Sequence, residues 1–135
     1  MRFRVRPESD QPIYEQITAQ VIYAVAEGTL APGELIPSVR ELAEQLLVNP
    51  NTVARAYQEL ERQGVVESRR GRGMEVTTAA PAACAKKRIA FSEARIRAAL
   101  DEAIGSGMDF DAVRGLVDKL LRNGQASRRG KSATD

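Results

Sequence analysis

Residues 38–64 read SVRELAEQLLVNPNTVARAYQELERQG and contain two helix-start patterns only eleven residues apart. Ser38 with a glutamate three residues later is typical of a helix start, and Asn49 followed by Pro50 is typical of another. Apolar residues recur at helical spacing after each start, and the few residues between them leave room only for a tight turn. The stretch therefore predicts two amphipathic helices in a helix-turn-helix arrangement.

The flanking residues extend this arrangement on both sides. An apolar stripe after Pro12 predicts a helix that runs to about Glu27. The segments VVES and MEVT, on either side of RRGRG, predict a two-stranded hairpin with a basic, glycine-rich tip. At the amino terminus, FRVRP alternates apolar and basic residues and predicts a short strand or an extended arm. Together these elements predict a winged helix-turn-helix over residues 1–79.

The remainder of the chain has a different composition. Residues 80–87 are rich in alanine and contain a proline, which predicts a linker, and residues 124–135 predict a disordered tail. Between them, residues 88–123 predict a two-helix hairpin in which Asp109 caps the second helix. A hairpin this small cannot bury its own apolar stripe, so we expect it to mediate dimerisation. The residues expected in that interface are Ile96, Leu100, Ile104, Phe110, Val113, Leu116, Val117 and Leu120. The predicted fold class is mainly α with a small β-hairpin.

Composition excludes several classes of function. A chain of 135 residues has no room for a large catalytic domain, and no carboxylate pair stands out as an acid–base site. The chain has no histidine and a single cysteine, which excludes His/Cys zinc sites and intrachain disulfides. Cys84 is interpreted as a linker residue, with redox sensing or a disulfide between copies as the alternative. We expect no enzyme activity, no metal and no cofactor. No membrane span or export signal is found, which predicts a cytoplasmic protein.

The placement of the cations matters more than their number. Residues 1–80 carry nine Lys or Arg against eleven Asp or Glu, although the whole chain has a net charge of +2. An acidic balance of this kind suits a protein-interaction module, which is the alternative function. The cations occur in three clusters: Arg2, Arg4 and Arg6; Arg69, Arg70 and Arg72; Lys86, Lys87 and Arg88. The first cluster fits either phosphate contacts or a solvated strand edge, and the third is interpreted as a solvated helix start.

The second helix of the pair begins with more hydrogen-bonding groups than a cap requires. Helix initiation alone explains Asn49 and Pro50. Asn51 and Thr52 add a further amide and hydroxyl, and Arg55 lies one turn later on the same face. The major groove of B-DNA admits one helix, where asparagine pairs with adenine and arginine with guanine. These residues therefore predict sequence-specific binding to double-stranded DNA.

Further contacts are expected with the DNA backbone. Ser38 and Arg40 lie at the start of the first helix of the pair, where helix-turn-helix proteins approach phosphates. A surface ion pair is the alternative for Arg40. In the hairpin tip, glycines allow close approach and arginines suit phosphate or a narrow minor groove, with a solvated turn as the alternative. The tip residues expected to contact DNA are Arg69, Arg70, Gly71, Arg72 and Gly73.

Over about residues 10–78, the motifs PIYEQI, PGELIPSVRELAEQLLVNPNTVARAYQELE and GRG resemble the DNA-binding domain of GntR-family bacterial transcription regulators. The wording VNPNTVARAYQELE and the short remainder of the chain are similar to the YtrA subfamily. This resemblance implies a dimeric regulator, usually a repressor, that reads a palindromic operator beside transporter genes. It also implies a wing, tipped by Gly71, at the minor groove. A small-molecule effector is expected at a dimer or interdomain interface.

The resemblance assigns roles to individual residues. It implies backbone contact for Arg40 and an approach to DNA by residues 49–52. Two positions depart from the family pattern. Ala54 stands where many members have arginine, so that base contact is not carried over and Arg55 becomes the candidate substitute. After Gly73 the wing reads Met-Glu-Val where the family has Thr-Phe-Val, so contacts beyond Gly73 are not carried over either.

Overall fold

The structure is a computed structural model that describes the backbone of residues 1–134 and the side chains of residues 1–128. Within these residues it contains five helices and one two-stranded sheet, which confirms the predicted mainly α fold with a small β-hairpin. In chain order the elements are α1 (Ile13–Glu27), α2 (Val39–Leu46), α3 (Pro50–Arg62), β1 (Val66–Arg69), β2 (Gly73–Val76), α4 (Ala80–Gly105) and α5 (Phe110–Thr134). They fall into two compact units: the first is Met1–Phe91, and the second starts at Ser92.

Local hydrogen bonds explain where α2 and α3 begin. Ser38 Oγ accepts a hydrogen bond from the backbone N–H of Glu41 at 3.1 Å. Asn49 Oδ1 accepts one from the backbone N–H of Asn51 at 2.8 Å. Between the helices, Leu47 adopts the left-handed conformation with φ 56° and ψ 46°, which closes α2 and turns the chain. Both predicted helix starts are confirmed.

The core of the first unit forms where α3 packs against α1 and α2. The buried side chains of α3 are the four that the helical period predicts: Val53, Ala56, Tyr57 and Leu60. Burying each large apolar side chain contributes about 1.5–3 kcal/mol, so this face is fixed by packing. The opposite face of α3 is consequently held rigid and left open to solvent.

The loop between α1 and α2 pairs with the hairpin, which the sequence analysis does not predict. The backbone N–H of Gly33 donates to the Val76 carbonyl at 2.8 Å, and that of Val76 donates to the Glu34 carbonyl at 2.9 Å. Ile36 N–H then donates to the Met74 carbonyl at 3.0 Å. The paired residues are far apart in sequence, so no local pattern reveals them. These bonds anchor the base of the hairpin beside the start of α2.

The amino-terminal residues form an extended arm, one of the two conformations that the sequence predicts. Side-chain amides of α1 take the place of a partner strand. Gln20 Oε1 accepts from the Arg4 backbone N–H at 2.9 Å, and Gln16 Oε1 accepts from that of Arg6 at 2.8 Å. Phe3 is buried in the core. The arm is therefore fixed to α1 while its arginines stay exposed.

The predicted linker at residues 80–87 is wrong, because these residues form the start of α4. Alanine has the highest helix propensity, and Pro81 lies in the first turn, where its missing N–H costs nothing. Ala80 and Cys84 are fully buried in the core of the first unit. That unit consequently extends to Phe91 rather than ending at residue 79.

The second unit contains the rest of α4 and all of α5. Asp109 caps α5 as predicted, since its Oδ1 accepts from the Ala112 N–H at 2.7 Å. The predicted disordered tail from residue 124 is instead helical through Thr134, and Asp135 lies outside the described residues. The tail contains no proline, and its glycines weaken a helix without breaking it. No helix in the described part of the chain is long and apolar enough to cross a membrane.

Candidate nucleic-acid interface

The polar side chains at the start of α3 have two roles: some start the helix, and others remain exposed to solvent. The amide oxygen of Asn49 caps the helix, and Pro50 occupies its first turn. The side chain of Asn51 is exposed and makes no hydrogen bond with another described residue. Thr52 is half-buried beside it. Asn51 is thus the amide at this end of α3 that remains available to a partner.

Arg55 follows one turn after Asn51 on the exposed side of α3. Its guanidinium carbon lies 3.8 Å from the centroid of the Tyr14 ring, which is a cation–π contact. The contact joins residues of α1 and α3 that are distant in sequence, so no local sequence pattern predicts it. The neighbouring Ala54 is half-buried and offers no polar group.

The start of α2 presents a cation beside the cap made by Ser38. Arg40 Nε lies 3.6 Å from Glu44 Oε1, and the two side chains are 90% and 73% exposed. An ion pair this exposed contributes little to the stability of the fold. The guanidinium of Arg40 can therefore leave Glu44 and bind another anion. Both interpretations of Arg40 thus fit its position.

The hairpin tip has the tight geometry that its glycines predict. Arg69 pairs with Gly73 in the antiparallel register, and the Arg72 N–H donates to the Arg69 carbonyl at 2.9 Å. Gly71 lies between them with φ 80°, a value that residues other than glycine rarely adopt. The arginines of the tip are exposed. The tip is therefore a tight, basic turn.

Two carboxylates that the sequence analysis missed neutralise much of this charge. Glu67 and Glu75 lie directly opposite each other in the register. Arg69 contacts both, at 2.8 Å to Glu67 and 3.0 Å to Glu75, and Arg72 lies 3.6 Å from Glu75. The Glu75 side chain is only 12% exposed. Among the described residues Arg70 has no such partner. Directly opposed glutamates repel each other unless cations lie between them. The register of the two strands would therefore have indicated that arginines pair with these glutamates.

Two further cations of the first unit, Arg62 and Arg88, pair with carboxylates. Arg62 hydrogen-bonds Glu59, and this bond, with a second from Gln63, lowers the pKa of Glu59 to about 2. Arg88 lies 3.7 Å from Glu27. The third basic cluster therefore includes a residue that fixes α4 to α1, rather than only a solvated helix start.

Tyr57 links α3 to the segment that precedes α2. Its hydroxyl donates to the Pro37 carbonyl at 2.6 Å, and burial, assisted by Glu41, raises the pKa of its phenol. We expect Tyr57→Phe to lower the free energy of unfolding by about 0.5–1.5 kcal/mol, because the Pro37 carbonyl loses its donor. Urea denaturation measures this change. An unchanged midpoint would show that the bond does not stabilise the helix pair.

Cys84 is fully buried in the first unit. Burial raises the pKa of its thiol, and Lys87 opposes this only weakly. A buried thiol with a raised pKa reacts slowly with oxidants. The position of Cys84 therefore favours a packing role over redox sensing.

The apolar side chains of α4 and α5 are largely uncovered. Within the described residues these two helices make no extensive contact with each other. Of the residues predicted for dimerisation, Leu100 and Val113 are half-buried and the others are exposed: Ile96 61%, Ile104 37%, Phe110 69%, Leu116 48%, Val117 37% and Leu120 58%. Leu121 adds to the same stripe. Exposed apolar side chains along one helix face are typical of a surface that another protein covers.

A groove of about 460 Å³ lies within the first unit. Its walls come from the arm, the start of α2 and the base of the hairpin, and they include Phe3, Ile36, Glu41 and Arg72. Ligand sites are commonly ~300–1,000 Å³. The effector is expected at an interface, and no pattern in the sequence indicates this groove.

Comparison with known families places this geometry among regulators of transcription. Residues 13–76 match the family described as "Bacterial regulatory proteins, gntR family". The HTH-type transcriptional repressor YtrA of Bacillus subtilis is 33% identical over 117 residues, which cover 87% of the chain and 90% of that relative. The HTH-type transcriptional regulator Rv1152 of Mycobacterium tuberculosis is 44% identical over 96 residues, covering 67% of the chain and 79% of that relative.

Solved structures extend the similarity to the fold. A transcriptional regulator from Oenococcus oeni superposes with a TM-score of 0.68 at 32% identity, covering 87% of the chain and 97% of that structure. YtrA from Sulfolobus acidocaldarius, a GntR-family transcription factor, superposes with a TM-score of 0.52 at 42% identity, covering 55% of the chain and 78% of that structure. The first of these similarities includes residues of both units.

Proposed function

Because the chain belongs to the GntR family of bacterial regulatory proteins, we propose that it is a dimeric repressor that binds a palindromic operator. Its place among helix-turn-helix transcriptional regulators follows from the family match and from the YtrA relative.

The exposed start of α3 carries the proposal. Asn51 lies one residue inside a capped helix, and its side-chain amide has no hydrogen-bond partner among the described residues. Arg55, on the same face, keeps its positive charge without a carboxylate partner among the described residues. An asparagine and an arginine at this spacing suit adenine and guanine in the major groove, each good bidentate contact being worth ~1–3 kcal/mol. We assign base reading to Asn51 and Arg55, with Thr52 beside them.

Contacts with phosphates hold the helix in place. Ser38 and Arg40 at the start of α2, and Asn49 and Pro50 at the start of α3, approach one strand of the backbone. The wing contributes Arg69, Arg70, Gly71, Arg72 and Gly73. Arg70 is the strongest of these candidates, because Arg69 and Arg72 share their charge with Glu67 and Glu75.

The uncovered apolar face of the second unit supports assembly into a dimer. A second copy has the same face and can cover it in a two-fold arrangement. Two copies then present two α3 helices to half-sites about one helical turn, ~34–36 Å, apart. We place the site of any small-molecule effector at this interface between copies.

Repression is proposed by analogy, since the Bacillus subtilis relative is a repressor. A bound dimer blocks access of RNA polymerase to the promoter that its operator overlaps. The proposed location is the cytoplasm, where the bacterial chromosome lies, and the proposed target is an operon that includes transporter genes. No cofactor is part of the proposal.

Titration with duplex DNA from upstream of its own gene, at several salt concentrations, tests this function. We expect specific retention with a steep salt dependence, and affinity at least 10³-fold above that for a scrambled duplex. Equal binding to the scrambled duplex would contradict operator recognition. Absence of DNA binding altogether would favour a protein-interaction module.

The wing makes a further prediction, because Glu75 neutralises two of its arginines. We expect Glu75→Gln to steepen the dependence of log affinity on log salt by about one, because Arg72 loses its carboxylate partner and becomes available to phosphates, whereas Arg69 keeps Glu67. Affinity for scrambled DNA should rise roughly 3- to 10-fold with it. Fluorescence anisotropy across a salt series measures both quantities.

The matched control is Glu93→Gln, which makes the same change in net charge at an exposed position of α4. It should leave the salt dependence close to that of the unmodified protein. Lower affinity with a shallower salt dependence in Glu75→Gln would mean that Glu75 orders the wing for DNA binding instead of neutralising its arginines.

A further inference from the structure

The contact between Arg55 and Tyr14 differs from the ion-paired arginine contacts of the first unit, because no carboxylate among the described residues pairs with Arg55. Arg88 also lies over a ring, 5.8 Å from the Tyr23 centroid, but it pairs with Glu27 as well. The guanidinium carbon of Arg55 lies 3.8 Å above the centroid of the Tyr14 ring. Arg40, Arg62, Arg69, Arg72 and Arg88 each have a carboxylate within 4.0 Å instead. Arg55 is therefore held by an aromatic face, which fixes its position without neutralising its charge.

Stacking leaves the donors of the guanidinium free. The group is planar, and its N–H bonds point outward in that plane. An aromatic ring against one face does not occupy these donors, whereas a carboxylate would take two of them. The fork that pairs with O6 and N7 of guanine thus stays available on an exposed side chain.

Tyr14 is suited to hold this group because it is itself restrained. It lies in the first turn of α1, is half-buried, and packs against the core of the first unit. Its hydroxyl donates to Glu15 Oε1 at 3.2 Å. Because α1 packs against α3, the ring keeps a fixed position relative to the exposed face of α3 that carries Asn51 and Arg55.

We propose that Tyr14 is a positioning residue that sets the orientation of Arg55 for reading one base pair of the operator. This inference rests on the proposed function. Tyr14 acts through Arg55: it restricts an otherwise flexible side chain to a single plane, which reduces the ordering that DNA binding must impose. Arg55 then takes over the base reading that Ala54 cannot perform.

Three variants test the inference: Tyr14→Leu removes the ring, Tyr14→Phe keeps it, and Arg55→Ala removes the guanidinium that contacts the base. For each, affinity is measured for the operator and for operators changed at single base pairs, after thermal melting has shown that the variant folds. We expect Arg55→Ala to abolish discrimination at one base pair per half-site. Tyr14→Leu should reduce discrimination at that same base pair about 3- to 30-fold, the range a cation–π contact covers. Tyr14→Phe should retain it.

A double variant and a matched arginine complete the test. Tyr14→Leu should have no additional effect on discrimination in the Arg55→Ala background, because nothing remains to be positioned. Arg62→Ala, which removes a cation near the other end of α3, should change no base preference. The inference is overturned if Tyr14→Leu weakens binding to all duplexes equally, or if Tyr14→Phe loses as much discrimination as Tyr14→Leu.

The outcomes separate this inference from the proposed function. Specific binding with unchanged base preference in Tyr14→Leu would reject the inference alone. Specific binding in which Arg55→Ala alters no base preference would reject the inference together with the role of Arg55. Failure of the unmodified protein to distinguish operator from scrambled DNA would reject both proposals.

Discussion

Leu120→Glu is expected to convert the dimer into monomers and to lower operator affinity by about 100- to 10,000-fold. Leu120 is 58% exposed in the centre of the apolar stripe on α5, where a second copy would bury it. An unpaired carboxylate cannot be buried there without a large desolvation cost. Once the copies separate, the second half-site loses the effective concentration that linkage provides, which is the source of the large change. Sedimentation across concentration and DNA titration measure the two effects.

Ala126→Glu is the matched control for this substitution. It introduces the same charge at an exposed position of α5, away from the stripe that contains Leu116 and Leu120. It should leave both the oligomeric state and the operator affinity nearly unchanged. If Leu120→Glu also remained a dimer at unchanged affinity, this face of α5 would not be the interface.

The two asparagines at the start of α3 should have different roles: Asn49 stabilises the helix and Asn51 contacts a base. Asn51→Ala is expected to reduce operator affinity about 5- to 150-fold, equivalent to one bidentate base contact of ~1–3 kcal/mol, with little change in affinity for scrambled DNA. The thermal midpoint should stay the same, because the Asn51 side chain has no hydrogen bond to lose within the described residues. Titration with the two duplexes measures this loss.

Asn49→Ala provides the contrasting result. Its amide oxygen accepts the first backbone hydrogen bond of α3, so its removal should cost about 0.5–2 kcal/mol of stability. The ratio of operator to scrambled affinity should then be largely retained. Similar losses of that ratio in both variants would show that Asn49 also reads DNA, or that Asn51 acts only through the helix.

Features with local causes were predictable from the sequence. The caps at Ser38, Asn49 and Asp109 depend on residues two or three positions away, and all three helices begin as expected. The buried face of α3 follows from its period. The fold class and the family are confirmed, and the relatives are regulators of transcription rather than enzymes, as the composition indicated.

Features that join distant residues were not predictable. The pairing of Ile36 with Met74 and the stacking of Arg55 on Tyr14 both depend on how separate elements meet. The misplaced linker had another cause. Its alanines lack bulk, which is typical of linkers, but they are also strong helix formers, and the small side chains of Ala80 and Cys84 fit a buried position.

The central claim is that two copies of α3 read two halves of one DNA site. Selection from a library of randomised duplexes by the unmodified protein tests it most directly, because no operator has to be assumed. We expect enrichment of an inverted repeat whose half-site centres lie about one helical turn, ~10 base pairs, apart, with a conserved adenine and guanine in each half. Enrichment of no sequence, or of a single half-site without symmetry, would contradict the account.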